Sequence, residues 1–194
     1  IDQNSVGTGE PLRLTWEMSD NWQLENTVLE YSINSGMDWV ELTTENITGK
    51  YNQQLFIWVV PKKYVGKCQF RSRVTDKAGI SMQSIYDGII ILDRTEPMID
   101  WISPEIPFTA LEGESIDITT ELSDNHSLKT LEYYFAVDGK TYEFIHSKTD
   151  LSGKDLVLNE KVVLPIGVSE NAIMKLVVID SDGNANYIYS EKFK

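Results

Sequence analysis

Asp180-Ser181-Asp182-Gly183-Asn184 places two carboxylates and an amide at alternate positions around a glycine, the spacing with which a calcium-binding loop opens. The helical form of such a loop needs further oxygen ligands and a closing glutamate. Here Ala185, Tyr187 and Ile188 follow in strand alternation, and Glu191 lies too far along an extended chain. The segment therefore reads as a hairpin turn whose Asp and Asn side chains bond the backbone. The inventory for catalysis is thin. The only histidines are His126 and His146, no pair has zinc spacing, and no Gly-x-Ser-x-Gly elbow occurs. Cys68 stands alone, with no base near it in sequence. Carboxylates abound, but glycoside chemistry needs a cleft to hold a pair of them. We expect no enzyme activity and no certain cofactor. Aromatic planes offer a different chemistry. Trp22 lies in a loop, with Tyr51, Tyr64 and Tyr86 near turns or strand ends. Such rings either pack locally or stack on a sugar or anchor a protein, and Trp22 is the first candidate for ligand binding.

The elements that carry these residues are written twice, about 104 positions apart. Gly9-Glu10, Leu12, Leu14-Thr15 and Ser19-Asp20-Asn21 recur as Gly113-Glu114, Ile116, Ile118-Thr119 and Ser123-Asp124-Asn125. Leu29-Glu30-Tyr31 matches Leu131-Glu132-Tyr133, and Val59-Val60-Pro61 matches Val163-Leu164-Pro165. Val74, Asp76 and Gly79 return as Val178, Asp180 and Gly183, while Cys68 meets Ala172 and Trp22 meets His126. A cysteine matched to alanine in a strand is a small core residue. Neither copy can close an internal disulfide.

Within each copy, apolar and polar residues alternate over short runs bounded by Gly, Asn, Asp and Pro, and no helical period is sustained. Leu12, Leu14, Trp16 and Met18 line one side of a strand, and Ile116, Ile118, Thr120 and Leu122 repeat it. Hairpins are predicted from Val28–Ile33 through Asn34-Ser35-Gly36 to Met37–Leu42, and from Leu131–Val137 through Asp138-Gly139. A third pair of strands runs Leu55–Val60 and Leu156–Leu164. The last hairpins join Gln69–Thr75 to Ser81–Leu92 and Met174–Ile179 to Ala185–Phe193. With an initial strand this makes about seven strands per copy, the pattern of an immunoglobulin-like sandwich. The predicted fold is all-β: domain 1 over 1–93, a short linker over 94–97 stiffened by Pro97, and domain 2 over 98–194.

The formal charge is −13, divided as −4 over residues 1–97 and −9 over residues 98–194, with no arginine in the second half. A phosphate backbone needs Lys and Arg to displace counterions, so nucleic acid is not an expected partner. Anionic lipid is disfavoured likewise, and no apolar run reaches the roughly 20 residues of a membrane-spanning helix. The chain opens mid-pattern at Ile1, which reads as a piece of something longer. The tripeptides starting at Asn46 and Asn125 permit glycosylation.

The hairpin Tyr31-Ser32-Ile33-Asn34-Ser35-Gly36-Met37-Asp38-Trp39, the closing Val-Asp-x-x-Gly-Asn pattern and the linker Asp-x-Thr-x-Pro resemble tandem bacterial Ig-like and fibronectin type III-like repeats of surface and secreted proteins. The first copy departs from that pattern at Lys77-Ala78-Gly79-Ile80. Ser32–Trp39 also resembles the Asp-box turn of sialidase propellers, but one copy without repeated blades reads as a turn. The repeat resemblance implies an exported setting and a structural spacer, with neighbouring domains of the same polypeptide as partners. Glycan or protein adhesion, or an accessory role beside a secreted enzyme, are the other roles it implies. In a sandwich of this kind the loops after the second and sixth strands share one end. That would set Asp124, Asp180 and Asp182 near linker residues Asp93 and Glu96, and related adhesins stiffen such junctions with calcium. The same acids can equally cap turns and stay solvated.

Overall fold

The computed structural model describes residues 3–105, 113–167 and 171–192. Alternation in the sequence becomes strands throughout, and no helix in the described residues is long and apolar enough to cross a membrane. The chain divides into two units, Ile1–Arg94 and Thr95–Lys194.

Unit 1 contains β1 (Ser5–Gly7), β2 (Pro11–Ser19), β3 (Leu24–Ser32), β4 (Val40–Asn46), β5 (Tyr51–Val59), β6 (Gly66–Asp76) and β7 (Ser81–Leu92). Its larger sheet runs β1-β7-β6-β3-β4, and β2 pairs with β5 in the smaller one. Inward alternate residues of both sheets meet in a core of Leu12, Leu14, Leu29, Trp58, Phe70 and Ile89 with their neighbours. Cys68 is buried there, and desolvation pushes its thiol up to about 12, so it packs as a small apolar residue. Ala172 is buried at the matching place in unit 2.

Unit 2 contains β8 (Met98–Ser103), β9 (Ser115–Ser123), β10 (Leu128–Ala136), β11 (Glu143–Lys148), β12 (Asp155–Val163), β13 (Ile173–Asp180) and β14 (Ala185–Tyr189). Its sheets are β11-β10-β13-β14 and β12-β9-β8. Four strands over three, joined in this order, is the immunoglobulin-like, fibronectin type III-like sandwich that the alternation predicts. The core gathers Ile118, Leu131, Tyr133, Phe135, Met174 and Leu176 among others. The hairpin between β10 and β11 turns at Gly139, where φ is +72° and a Cβ would stand 2.2 Å from the Asn171 carbonyl oxygen. Glycine is required there on both counts.

Four details depart from the sequence reading. The predicted strand Met37–Leu42 begins only at Val40. Met37, Asp38 and Trp39 stay in the turn because Asn34 Oδ1 accepts the Asp38 N–H at 2.9 Å and Ser32 Oγ accepts the Gly36 N–H at 2.9 Å. Second, Leu29-Glu30-Tyr31 does not correspond to Leu131-Glu132-Tyr133. Leu24 pairs with Asp76 as Leu128 pairs with Asp180, so the structural counterparts of residues 29–31 are Tyr133, Tyr134 and Phe135. A two-residue slip keeps inward residues inward, and hydrophobic alternation cannot detect it. Third, the initial strand of the two copies is not one element: β1 lies parallel to the end of β7, β8 lies antiparallel to β9, and the 104-residue offset carries β1 onto residues 109–111, outside the described residues. The strand expected through Phe193 ends at Tyr189, and Phe193 itself lies outside the described residues.

On the outer face of unit 1, Glu30 is buried between two arginines, with Arg71 Nε at 2.7 Å and Arg73 Nε at 2.9 Å. Burial would raise its pKa, but the hydrogen bonds and charges of Arg71 and Arg73 outweigh it and hold the carboxyl below its ordinary range. Arg71 also stacks on Trp39, with the guanidinium 4.3 Å from the ring centre.

Candidate functional site

The acids singled out in the sequence fall mostly on turns, and both units use them alike. Asp76 closes β6 and its Oδ1 accepts the N–H of Ala78 and of Ile80 at 2.9 and 2.8 Å. Asp180 closes β13 and accepts from Asp182 and Asn184 at 2.9 and 2.8 Å, with Asn184 Nδ2 adding a bond of 2.7 Å to Oδ2. Asp20 Oδ1 accepts the Trp22 N–H at 2.6 Å, and Asp124 Oδ1 accepts the His126 N–H at 2.8 Å. Each pattern recurs at the 104-residue offset because a short polar side chain at the turn supplies an acceptor the backbone lacks.

Unit 2 brings some of these acids together. Asp124 and Asp180 approach within 4.8 Å through carboxylate oxygens, with Asp180 fully buried and Asp124 half-buried. Asp182 Oδ2 lies 2.6 Å from His126 Nδ1. Asp93 is buried at the end of unit 1, and Glu96 is exposed ahead of β8. Glu96 is not among the carboxylates gathered at Asp124 and Asp180 among the described residues.

Trp22 is 57% exposed although its backbone is held by Asp20, so the ring is presented rather than packed. Tyr51 is exposed as well, while Tyr64 turns inward to accept a hydrogen bond from the Tyr31 hydroxyl at 3.0 Å. Of the two glycosylation tripeptides, Asn46 is exposed and Asn125 half-buried.

A richer aromatic surface lies where loop reasoning did not look, on the outer face of the four-stranded sheet of unit 2. Register places Phe144, Tyr134, Lys175 and Tyr189 in one row across β11, β10, β13 and β14. Phe144 meets Tyr134 edge-on at 5.8 Å, and Tyr189 contacts Tyr142 at 5.7 Å and Tyr187 at 5.3 Å. The Lys175 ammonium sits 4.7 Å from the centre of the Tyr187 ring. Phe144, Tyr187 and Tyr189 are all exposed. The signal was present in the alternation of Tyr187 and Tyr189, but only the strand order reveals that these rings share one face.

Between the sheets of unit 2, His146 and Lys148 on β11 reach Glu160 on β12 at 3.3 and 3.2 Å and tie the sheet edges together. Behind them the Tyr133 hydroxyl is buried with no hydrogen-bond partner among the described residues. Burial, and then the charge of Glu160, push its pKa up. Replacing Tyr133 by Phe is therefore expected to stabilise unit 2 by about 1 kcal/mol, since an unsatisfied polar group leaves the core. A higher urea midpoint with an unchanged slope is the result to look for.

No family model and no curated protein matches the chain. Solved structures do. One holds fibronectin(III)-like modules of CbhA from Clostridium thermocellum, 14% identical, with a TM-score of 0.40, covering 98% of this chain and 89% of that one. Another is a red sea bream transglutaminase, 10% identical with a TM-score of 0.35, in which 99% of this chain spans 30% of that protein. A third is a DUF3823 family protein from Bacteroides ovatus, 10% identical with a TM-score of 0.30, covering 93% and 96% of the two chains.

Proposed function

We propose that the chain is a non-catalytic spacer, two sandwich modules of a larger surface or secreted polypeptide. The observation that carries this reading is where the polar side chains are spent. The acids of both units brace their own turns through the same bonds at the same offset, as in Asp76 and Asp180. Groups so committed serve rigidity rather than turnover. Calcium is part of the proposal: the close pair Asp124 and Asp180, with Asp182 nearby in sequence, offers hard anionic oxygens of the kind calcium takes. Asp93 and Glu96 belong to the proposal through the linker pattern of the sequence. Thermal melts with millimolar calcium and with chelator test it. At a calcium concentration about 100 times the dissociation constant, linkage adds roughly 2.7 kcal/mol. That moves the transition by about ten degrees or more. Superimposable melts would remove calcium and leave an unmetallated spacer.

A second reading, adhesion to a glycan, is favoured by the aromatic row on unit 2. Exposed rings backed by a rigid sheet suit stacking on sugar faces. In a glycan-array screen, any retained ligand is expected to lose at least tenfold in affinity on Tyr189→Ala, against little change on Trp22→Ala. The opposite ranking would return the site to the loop.

A further inference from the structure

The larger sheets of the two units share a backbone plan on their outer faces and differ in what they carry there. A bulge sits at the same place in each, between Leu29 and Glu30 on β3 and between Tyr133 and Tyr134 on β10. It turns Leu42 and Ile145 onto their cores and sets Glu41 opposite Glu30 and Phe144 opposite Tyr134. Register then gives a row of Glu41, Glu30, Arg71 and Ile85 in unit 1. The same row in unit 2 is Phe144, Tyr134, Lys175 and Tyr189. One row on, Arg73 and Gln83 give way to Val177 and Tyr187. In unit 1 the cation is spent, because Arg71 lies 2.7 Å from Glu30 and stacks on Trp39. In unit 2 a tyrosine stands where that carboxylate would be. Lys175 makes no ion pair among the described residues, and its ammonium rests 4.7 Å from the centre of the Tyr187 ring and 5.9 Å from that of Tyr189.

We propose that this face of unit 2 binds an uncharged, linear oligosaccharide laid across the strands, an inference that rests on the adhesion reading and names its ligand class. Phe144 and Tyr189 stand on strands three spacings apart, about 14 Å, a span that no single sugar ring covers. Phe144, Tyr187 and Tyr189 are 56%, 55% and 46% exposed. Their apolar faces suit pyranoses whose hydroxyls are equatorial, because the axial C–H groups of such rings form flat apolar surfaces. Lys175, between the aromatic ends of the row, donates hydrogen bonds to sugar hydroxyls. Charge selects against acidic sugars. Glu132, which accepts the Tyr134 hydroxyl at 2.7 Å, and Glu143, next to Phe144 in the chain, outnumber the one ammonium. The second half of the chain also carries most of the net negative charge.

The test titrates cello- and xylo-oligosaccharides of two, four and six residues into the whole chain by isothermal calorimetry. Cellohexaose oxidised to the uronate at its primary hydroxyls is the charged control of the same shape. At least one neutral hexamer is expected to saturate a single site, at least tenfold more tightly than its dimer and than the uronate. Tyr134→Glu places a carboxylate opposite Lys175 as Glu30 stands opposite Arg71, and is expected to weaken binding at least tenfold. Phe144→Ser, at an exposed position of the edge strand, is expected to do the same. An unchanged urea midpoint shows that each variant leaves unit 2 folded. A hexamer no tighter than its dimer, or binding indifferent to both substitutions, would overturn the proposal. Tighter binding of the uronate, lost on Lys175→Met, would overturn the uncharged ligand and leave adhesion standing. No binding of any hexamer up to about 1 mM overturns the proposal, and an empty glycan array beside it removes the adhesion reading as well.

Discussion

Asp180→Ala is expected to destabilise unit 2 by about 3 kcal/mol. The carboxylate is fully buried and accepts from two backbone N–H groups and from the Asn184 amide. Alanine returns none of those bonds. Asp180→Asn keeps one acceptor oxygen and is expected to cost less than half as much. Urea denaturation read by circular dichroism separates these outcomes, because the loss falls on the unit 2 transition alone. A loss below about 1 kcal/mol for the alanine variant would mean that the turn holds itself and that the carboxylate is kept for a ligand.

Trp58→Ala is expected to cost unit 1 about 4 kcal/mol, as large aromatic truncations in packed cores do. The indole is 6% exposed and lies 4.9 Å from the ring of Tyr31 and 5.5 Å edge-on from Phe70. Its removal leaves a cavity and ends both ring contacts. Its register counterpart in unit 2 is Val162, so Trp58→Val is the milder substitution to compare. Unit 1 is expected to unfold first in both variants, with exposure of the Cys68 thiol as an independent reporter. An unchanged midpoint would show that the core closes over the gap.

Fold class was legible because alternation and turn chemistry act locally. Leu12, Leu14 and Met18 point inward as their spacing demands, and Asp138-Gly139 turns where it must. The acids at 76 and 180 were legible as turn residues for the same reason. What the sequence concealed is non-local. The two-residue slip that pairs Tyr133 with Leu29 leaves every side chain on its proper face, so no pattern of polarity betrays it. The aromatic row on unit 2 is spread over four strands and exists only once they are ordered. The parallel pairing of β1 with β7 joins residues far apart in sequence, and neither strand's own residues announce it.

The pairing of β1 with β7 also has a mechanical meaning. In unit 1 the first and last strands are bonded side by side and parallel, Ser5 against Ile90 and Gly7 against Leu92, with Thr8 N–H reaching the Leu92 carbonyl at 2.9 Å. Tension applied to the two ends drags β1 backward and β7 forward along their common line. The bonds between them are then sheared together rather than opened one after another. In unit 2 the described strands β8 and β14 lie in different sheets, and the counterparts of Ser5–Gly7 at the 104-residue offset lie outside the described residues. Stretched end to end, unit 1 therefore resists through a short clasp whose bonds fail together.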